Sequence, residues 1–491
     1  MGNKSQKNIL KSTSIVGGAQ IITIAIGIVR TKVISVLLGP AGVGLIGVLQ
    51  STIDLIRQAT GCGINFSGVK EIAEATATDD HVRISRTIII LRRWALYTGI
   101  LGMLITILFC FPLSNFAFNN NEYASSIAII SVLLLLTSVS AGQLALLQGL
   151  RQMGQMAKAN IYGAILGLIL TLPLYWKFGA DAIIPGMLLT GFIGLFISWL
   201  FARKITVIKT EITFRETISG GINMARLGFF IVITGVIVTF AMYVIRSFVS
   251  KKLGLDAVGC FQSVFTITNL YMGLILNAML ADFFPRLTAI HEDNKASNIM
   301  INEQLDLAIV ISGPMIVFLI AMAKLVIQVL FSSSFLMAVT VLQWQLLGSF
   351  FAIISWAVGV MFLAKNKGNY GMIIEGIWSL IYVLFVFLGW ETYGFNSLGI
   401  GFVIASIVRV LLALLLTNKL GGFMFDNTSF KSIFIYGFVV LIVFINVLLV
   451  KGYLQYGLSF VVIAISFVLS FYRISKIINV GEFVRSKVIK R

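Results

Sequence analysis

The stretch IGIVRTKVISVLLGPAGVG, Ile26 to Gly44, places two cations, Arg30 and Lys32, inside a run that is otherwise apolar and ends on a Gly-Pro break. From Thr13 to Leu38 that run has the length of about 20 residues that a helix needs to cross the hydrocarbon of a bilayer. The whole chain reads the same way: 491 residues, 58% hydrophobic and only 11% charged, with a mean hydropathy of +0.99. Such a composition excludes an ordinary soluble domain. Segments of alternating polarity are absent, so a helical bundle is expected and not a barrel. The fold class that follows is an all-α polytopic membrane protein with about 14 transmembrane helices.

Charge placement tests that count, because short cytoplasmic loops should hold the excess of lysine and arginine. With the N-terminus inside, 26 of the 37 basic residues fall in inner segments and four, Lys177, Lys251, Lys252 and Lys451, in outer ones. Both termini are therefore expected in the cytoplasm. The same asymmetry accounts for the net charge of +18, which marks loop orientation and not nucleic-acid binding. The three N-terminal lysines precede a run too long for a signal peptide and without a cleavage site, so a retained first helix is read there.

The break at the end of the quoted stretch also sets the organisation, because LGPAGVG (Leu38 to Gly44) recurs as LGLDAVG (Leu253 to Gly259), 215 residues later. An arginine precedes each copy, Arg30 the first and Arg246 the second, and each copy joins the first span of a half to its second. Six spans separate the copies, so the halves should be parallel repeats. The expected domains are a six-helix lobe over residues 1–203, a cytoplasmic linker over 204–220 that is either a plain loop or partly an amphipathic interfacial helix, a second six-helix lobe over 221–420, and a two-helix hairpin with a basic tail over 421–491.

Charged residues inside spans are costly and mark function by default, unless they reach the interface. Arg226, Asp306 and Lys324 lie near span ends and can snorkel; Asp282 and Arg286 are spaced for a helical salt bridge. Arg30 is different, because Gly17, Gln20, Thr23, Gly27 and Arg30 step by three and four and so share one helix face. Lys32, about 200° further round, belongs to another environment. The second span repeats the pattern with Gly47, Gln50, Asp54, Arg57 and Gly61, in which Asp54 and Arg57 can pair. The second half carries weaker stripes, including Arg246 in one span and Gln262 and Asn269 in the next. Amides and hydroxyls suit a polyhydroxylated ligand, and buried arginines suit phosphate or carboxylate. The substrate-binding set read from these stripes is Arg30, Gln50, Asp54, Arg57, Arg246, Gln262 and Asn269, facing a sugar that carries a phosphate. Small and polar residues at such spacings also glue helices together, which is the reading preferred for the glycines. Glu375 and Arg409, in adjacent spans, form a further pair, read either as a fixed structural bridge or as a coupling or gating element.

The N-terminal lysines, VISVLLGPAGVGLIGVLQ (Val33 to Gln50) and GCGINFSGVKEIAE (Gly61 to Glu74) resemble the O-antigen translocases, the Wzx-type polysaccharide flippases of the multidrug/oligosaccharidyl-lipid/polysaccharide exporter superfamily. The likeness extends to the branch that flips the lipid III of enterobacterial common antigen. It implies two six-helix lobes around a central cationic cavity, alternating access, and an undecaprenyl-pyrophosphate-linked oligosaccharide as substrate at the bacterial inner membrane. In the related lipid II flippases one arginine lies near the end of the first span and another in the second, and Arg30 and Arg57 match those positions. Those flippases also have fourteen spans, the last pair forming a groove for the lipid tail. A polysaccharide polymerase and a chain-length regulator are the partners the resemblance implies, and no nucleic acid.

Three other classes stay open, of which a purely structural membrane protein is the weakest because it leaves the aligned intramembrane arginines unexplained. A drug or cation antiporter of the same superfamily should show a cavity dominated by carboxylates and aromatics. A membrane polysaccharide polymerase should show a large outer loop with catalytic side chains. His81 and His291, the only histidines, fall in cytoplasmic loops without a nucleophile or base near them, so no catalytic residue is assigned. Cys62, Cys110 and Cys260 form no CxxC, so neither a disulfide framework nor a metal site is expected. No cofactor is assigned; coupling to a proton or sodium gradient is the energetic role left open.

Overall fold

The computed structural model describes residues 2–61, 63–78, 80–208, 210–227 and 229–478, and the side chains among them other than those of 2–16, 64–66, 223–227, 281 and 476–478. The readings made on Cys62, Lys209, Arg226 and the basic residues of both chain ends lie outside what is described. The first half contains α1 (Gly2–Thr60), α2 (Ile64–Ala77), α3 (His81–Leu108), α4 (Cys110–Phe118), α5 (Ala124–Ile130), α6 (Val132–Gly149), α7 (Met153–Phe178), α8 (Ile183–Ala202) and α9 (Phe214–Leu227). The second contains α10 (Phe229–Ala289), α11 (Asn294–Ala321), α12 (Ala323–Leu330), α13 (Ala338–Ala364), α14 (Gly368–Leu388), α15 (Trp390–Tyr393) and α16 (Ser397–Gly421), followed by α17 (Asn427–Leu449) and α18 (Tyr453–Ile478). No strand occurs among the described residues.

Among the described residues, eleven helical stretches are long and apolar enough to cross a membrane. Three of them, of 44, 50 and 61 residues, are more than twice as long as one crossing needs. Glycine divides each. In α1 the break is Gly39 at φ 63°, ψ −171°, and Pro40 then restarts the helix where its missing N–H costs nothing. In α10 the break is Gly254 at φ 80°, ψ −177°. Between α7 and α8 it is Gly179 at φ 55°. Only glycine adopts such angles without strain.

The duplication read from seven residues extends along the backbone at the same offset. Gly39 answers to Gly254, Gly179 to Gly394, and the left-handed residue Arg151 (φ 57°) to Asn366 (φ 55°). The N-terminal ends of α3 and α11 match as well, at an offset of 213: Asp80 accepts hydrogen bonds from the backbone N–H groups of Val82 and Arg83, and Asp293 from those of Lys295 and Ala296, each satisfying donors that a helix start leaves orphaned. The two breaks pack reciprocally. A Cβ on Gly44 would lie 2.0 Å from the carbonyl oxygen of Leu255, and one on Gly259 1.9 Å from that of Pro40.

The chain packs as two compact units, residues 1–262 with 329–335 and residues 263–328 with 336–491. In the first, Leu49, Ile53, Ile127, Ile130, Leu134 and Ile183 form a core of buried side chains. There α9 is a docked helix and not the plain loop that the linker reading left open. Glu216 pairs with Arg86, Arg93 donates to the Ile212 carbonyl and to Thr217, and Phe214 and Ile222 stay exposed. In the second unit Phe283, Leu287, Ile301, Val358 and Met361 are core residues, and α17 and α18 pack on α11. Hydroxyls make that seam: Ser432 donates to Asp306, Tyr436 and Ser470 share a hydrogen bond, and Ser470 donates to the Val310 carbonyl. Asp306 therefore does not snorkel as the sequence reading allowed; it is buried, with Arg473 4.0 Å away, because the hairpin covers it. Asp282 and Arg286 do form the expected surface pair at 3.1 Å.

Candidate functional site

Arg30 reaches its site because the polar face of α1 packs along α7. A cavity of about 350 Å³ lined by Ala19, Gln20, Thr23, Met156, Ala157 and Asn160 runs beside a second of about 210 Å³, lined by Arg30, Ser140, Asn160, Thr190 and Ser198 among others. Asn160 lines both. The stripe Gln20, Thr23, Arg30 thus faces a polar seam, which is why small and polar side chains recur along it. Arg30 Nη2 donates to Thr190 Oγ1 at 3.0 Å, and Thr190 in turn donates to the Gly186 carbonyl at 2.8 Å. Ser140 and Ser198 lie 3.1 Å apart, and Ser198 also donates to Gln143. Arg30 Nε is buried without a hydrogen-bond partner. Among the described residues no carboxylate pairs with Arg30, and a guanidinium held at membrane depth without a counter-charge is a costly arrangement that an anion relieves.

The second stripe is assembled as its spacing predicts. Arg57 Nη2 donates to Asp54 Oδ1 at 2.8 Å, and Gln50 Nε2 donates to the same oxygen at 3.2 Å. The pair is accessible, the Arg57 and Asp54 side chains being 44% and 32% exposed, so a ligand can reach the guanidinium. Arg246 is buried in α10. Gln262 packs on Gly47, whose Cβ would lie 3.3 Å from its Cγ; these are repeat-equivalent positions in contact. Asn269 is exposed. Gln50, Asp54 and Arg57 are therefore one cluster and Arg30 belongs to another, with Thr190. Lys32 donates to the Phe331 carbonyl, the separate environment its angle around the helix requires.

Glu375 and Arg409 form an ion pair between α14 and α16, with the guanidinium 5.9 Å from the centre of the Trp378 ring. The sequence reading missed Ser140, Asn160, Thr190 and Ser198, the wall of the Arg30 cavity. The repeat could have found Asn160, which the 215-residue offset carries onto Glu375; it marks none of the other three. Among the described residues no group of three or more histidine, cysteine, aspartate or glutamate side chains could hold a metal. Cys110 and Cys260 are buried and not joined in a disulfide.

Among solved structures, the chain is similar to the lipid II flippase MurJ in an inward closed conformation, with a TM-score of 0.69 at 15% identity, covering 94% of this chain and 99% of that one. It is also similar to a multidrug resistance MATE family transporter of the MOP superfamily in its inward-facing conformation, with a TM-score of 0.65 at 16% identity over 83% and 98% of the two chains. These likenesses show the fold. In sequence it is 22% identical over 395 residues to the lipid III flippases of Escherichia coli (strain K12) and Shigella flexneri, covering 80% of this chain and 93% of theirs. A family model described as polysaccharide biosynthesis protein matches residues 33–340. That match takes in more than half of the chain, with Arg57, Arg246 and most of the Arg30 cavity wall, and the chain belongs to the polysaccharide biosynthesis protein family.

Proposed function

We propose that this protein is a flippase that moves polyprenyl-pyrophosphate-linked oligosaccharide from the cytoplasmic to the outer leaflet of the bacterial inner membrane, by alternating access, for surface polysaccharide assembly. The carrying observation is Arg30: a guanidinium inside an apolar span, lodged in a cavity walled by hydroxyls and an amide and without a carboxylate partner. Arg57 and Arg246 add cations for the anionic groups of the same substrate, with Gln50, Gln262 and Asn269 offering amides to its glycan. The names of the lipid III flippase relatives support this reading. Transport without covalent change, coupling to a proton or sodium gradient, both termini in the cytoplasm, lobes over 1–203 and 221–420, and association with a polymerase and chain-length regulator complete the proposal. The antiporter alternative has less support, because Asp54 and Glu375, the carboxylates it would use to hold a cation, are engaged by Arg57 and Arg409.

Proteoliposomes loaded with a fluorescent lipid-linked oligosaccharide test it. Wild-type protein should transfer the label between leaflets and return a glycan of unchanged mass. The Arg30→Ala, Arg57→Ala double variant should lose at least about tenfold in rate, since a charge-assisted contact contributes about 1.5–3 kcal/mol. Lysine should rescue poorly, because it lacks the bidentate fork. Full transport by the double variant would mean that these cations only brace helices, and an altered glycan would move the reading to a polymerase.

A further inference from the structure

The repeat makes the Arg30 cavity informative in a second way. Its register through this region is set by Arg151 and Asn366 before α7 and α14, and by Gly179 and Gly394 after them. At that offset Asn160 corresponds to Glu375, Gly163 to Trp378 and Gly194 to Arg409. In the second repeat the seam between α14 and α16 is closed from within, by the Glu375 to Arg409 ion pair beside the Trp378 ring. In the first repeat the same three positions hold an amide and two glycines. A Cβ on Gly163 would meet nothing within 4 Å, and one on Gly194 only Ser140 Oγ at 3.9 Å, so the space that two large side chains occupy in one repeat is a cavity of about 210 Å³ in the other. The cation is still supplied there, by Arg30 from α1. The carboxylate is not.

We propose that the cavity of the first repeat is a carboxylate-binding subsite, in which an exogenous carboxylate pairs with Arg30 as Glu375 pairs with Arg409. Arg30 Nε is a buried donor without a partner, and a guanidinium takes a carboxylate through two parallel N–H donors. Ser140, Ser198, Thr190 and Asn160 then surround the rest of the ligand with hydroxyls and an amide, the groups that hydrogen-bond sugar hydroxyls. The ligand class is an acidic monosaccharide, a uronic acid. It rests, for its source as a residue of the transported glycan, on the flippase reading; a free uronate offers the same chemistry.

Binding of D-glucuronate and D-glucose to the full-length purified protein, by saturation-transfer NMR and calorimetry, separates these cases from transport. Glucuronate should bind at least about tenfold more tightly than glucose. Asn160→Glu should install the missing carboxylate, pair internally with Arg30 and abolish glucuronate binding while raising or preserving the melting temperature. Asn160→Gln, which adds the same length without the charge, should weaken glucuronate binding far less than Asn160→Glu, which separates the added carboxylate from bulk or misfolding. Equal binding of the two sugars, or undiminished glucuronate binding by Asn160→Glu, overturns the proposal. In proteoliposomes, faster transfer of a lipid-linked glycan bearing a uronic acid than of its neutral counterpart identifies the glycan as the source. Equal transfer with glucuronate still bound assigns the site to a free carboxylate. Failure to move any lipid-linked glycan counts against the flippase reading and leaves the binding result standing.

Discussion

Arg30 and Lys32 lie two residues apart and meet their needs on different sides of one helix, Arg30 at a threonine hydroxyl and Lys32 at a backbone carbonyl. The partner of Arg30 is a neutral oxygen, with no carboxylate beside it among the described residues. Arg409 has the opposite solution, a carboxylate in the next helix. Breaking such a pair leaves one charge stranded at low dielectric, so Glu375→Gln should destabilise the protein by on the order of 2–4 kcal/mol. Thermal unfolding in detergent reads this. The exchanged pair Glu375→Arg with Arg409→Glu should recover most of the loss if the bridge is structural. Recovery of stability with loss of transport would instead assign the pair to coupling.

At the scale of elements, the two broken helices α1 and α10 are held together where glycine lets one backbone touch the other. Gly44→Ala and Gly259→Ala should each cost about 1–3 kcal/mol, the usual cost of overpacking, because the added methyl meets a carbonyl that cannot rotate away. Both act on one interface, so the double variant should cost less than the sum of the singles by thermal unfolding. The docking of α9 should depend on pH. The backbone N–H and hydroxyl of Thr213, and then the Arg86 guanidinium, hold the Glu216 carboxyl below its ordinary value of 4.5. A carboxylate with a lowered folded value stabilises fully above its unfolded value and loses that contribution as pH falls through the folded one. Hydrogen-exchange protection over residues 214–222, taken relative to the intrinsic exchange rate at each pH, should therefore exceed that of Glu216→Gln at neutral pH and fall to meet it as pH drops below 4.5, whereas the protection of Glu216→Gln should not change over that range.

At the scale of the whole molecule, we propose fourteen crossings, with the eleven apolar stretches among the described residues, three of them divided by glycine, as support. In a cysteine-free background, single cysteines at Asn121 and Glu391 should react with an impermeant thiol reagent from outside intact cells, and one at Glu292 should not. These positions avoid Asn119, which sits at φ 62°, and Asp293, which caps α11. Labelling at Glu292 from outside would reverse the topology.

What the sequence determined by itself is what one-dimensional spacing encodes. Apolar runs of bilayer length require helices, since lipid leaves no other partner for backbone N–H and C=O groups. The three-and-four stepping of Gln50, Asp54 and Arg57 puts them on one face, where they pair; the repeat of Leu38 to Gly44 marks the breaks at Gly39 and Gly254. Tertiary structure alone decided which helix each face meets. Thr190 lies 160 residues from Arg30, and Ser432 lies 126 from Asp306; no periodicity in a single segment reports such distances. The burial of Asp306, the docking of α9 and the empty space at Gly163 and Gly194 depend on neighbours brought together from distant segments. A helix's own pattern says that a face is polar, but only packing says whether that face is closed by a side chain, as at Arg409, or left open, as at Arg30.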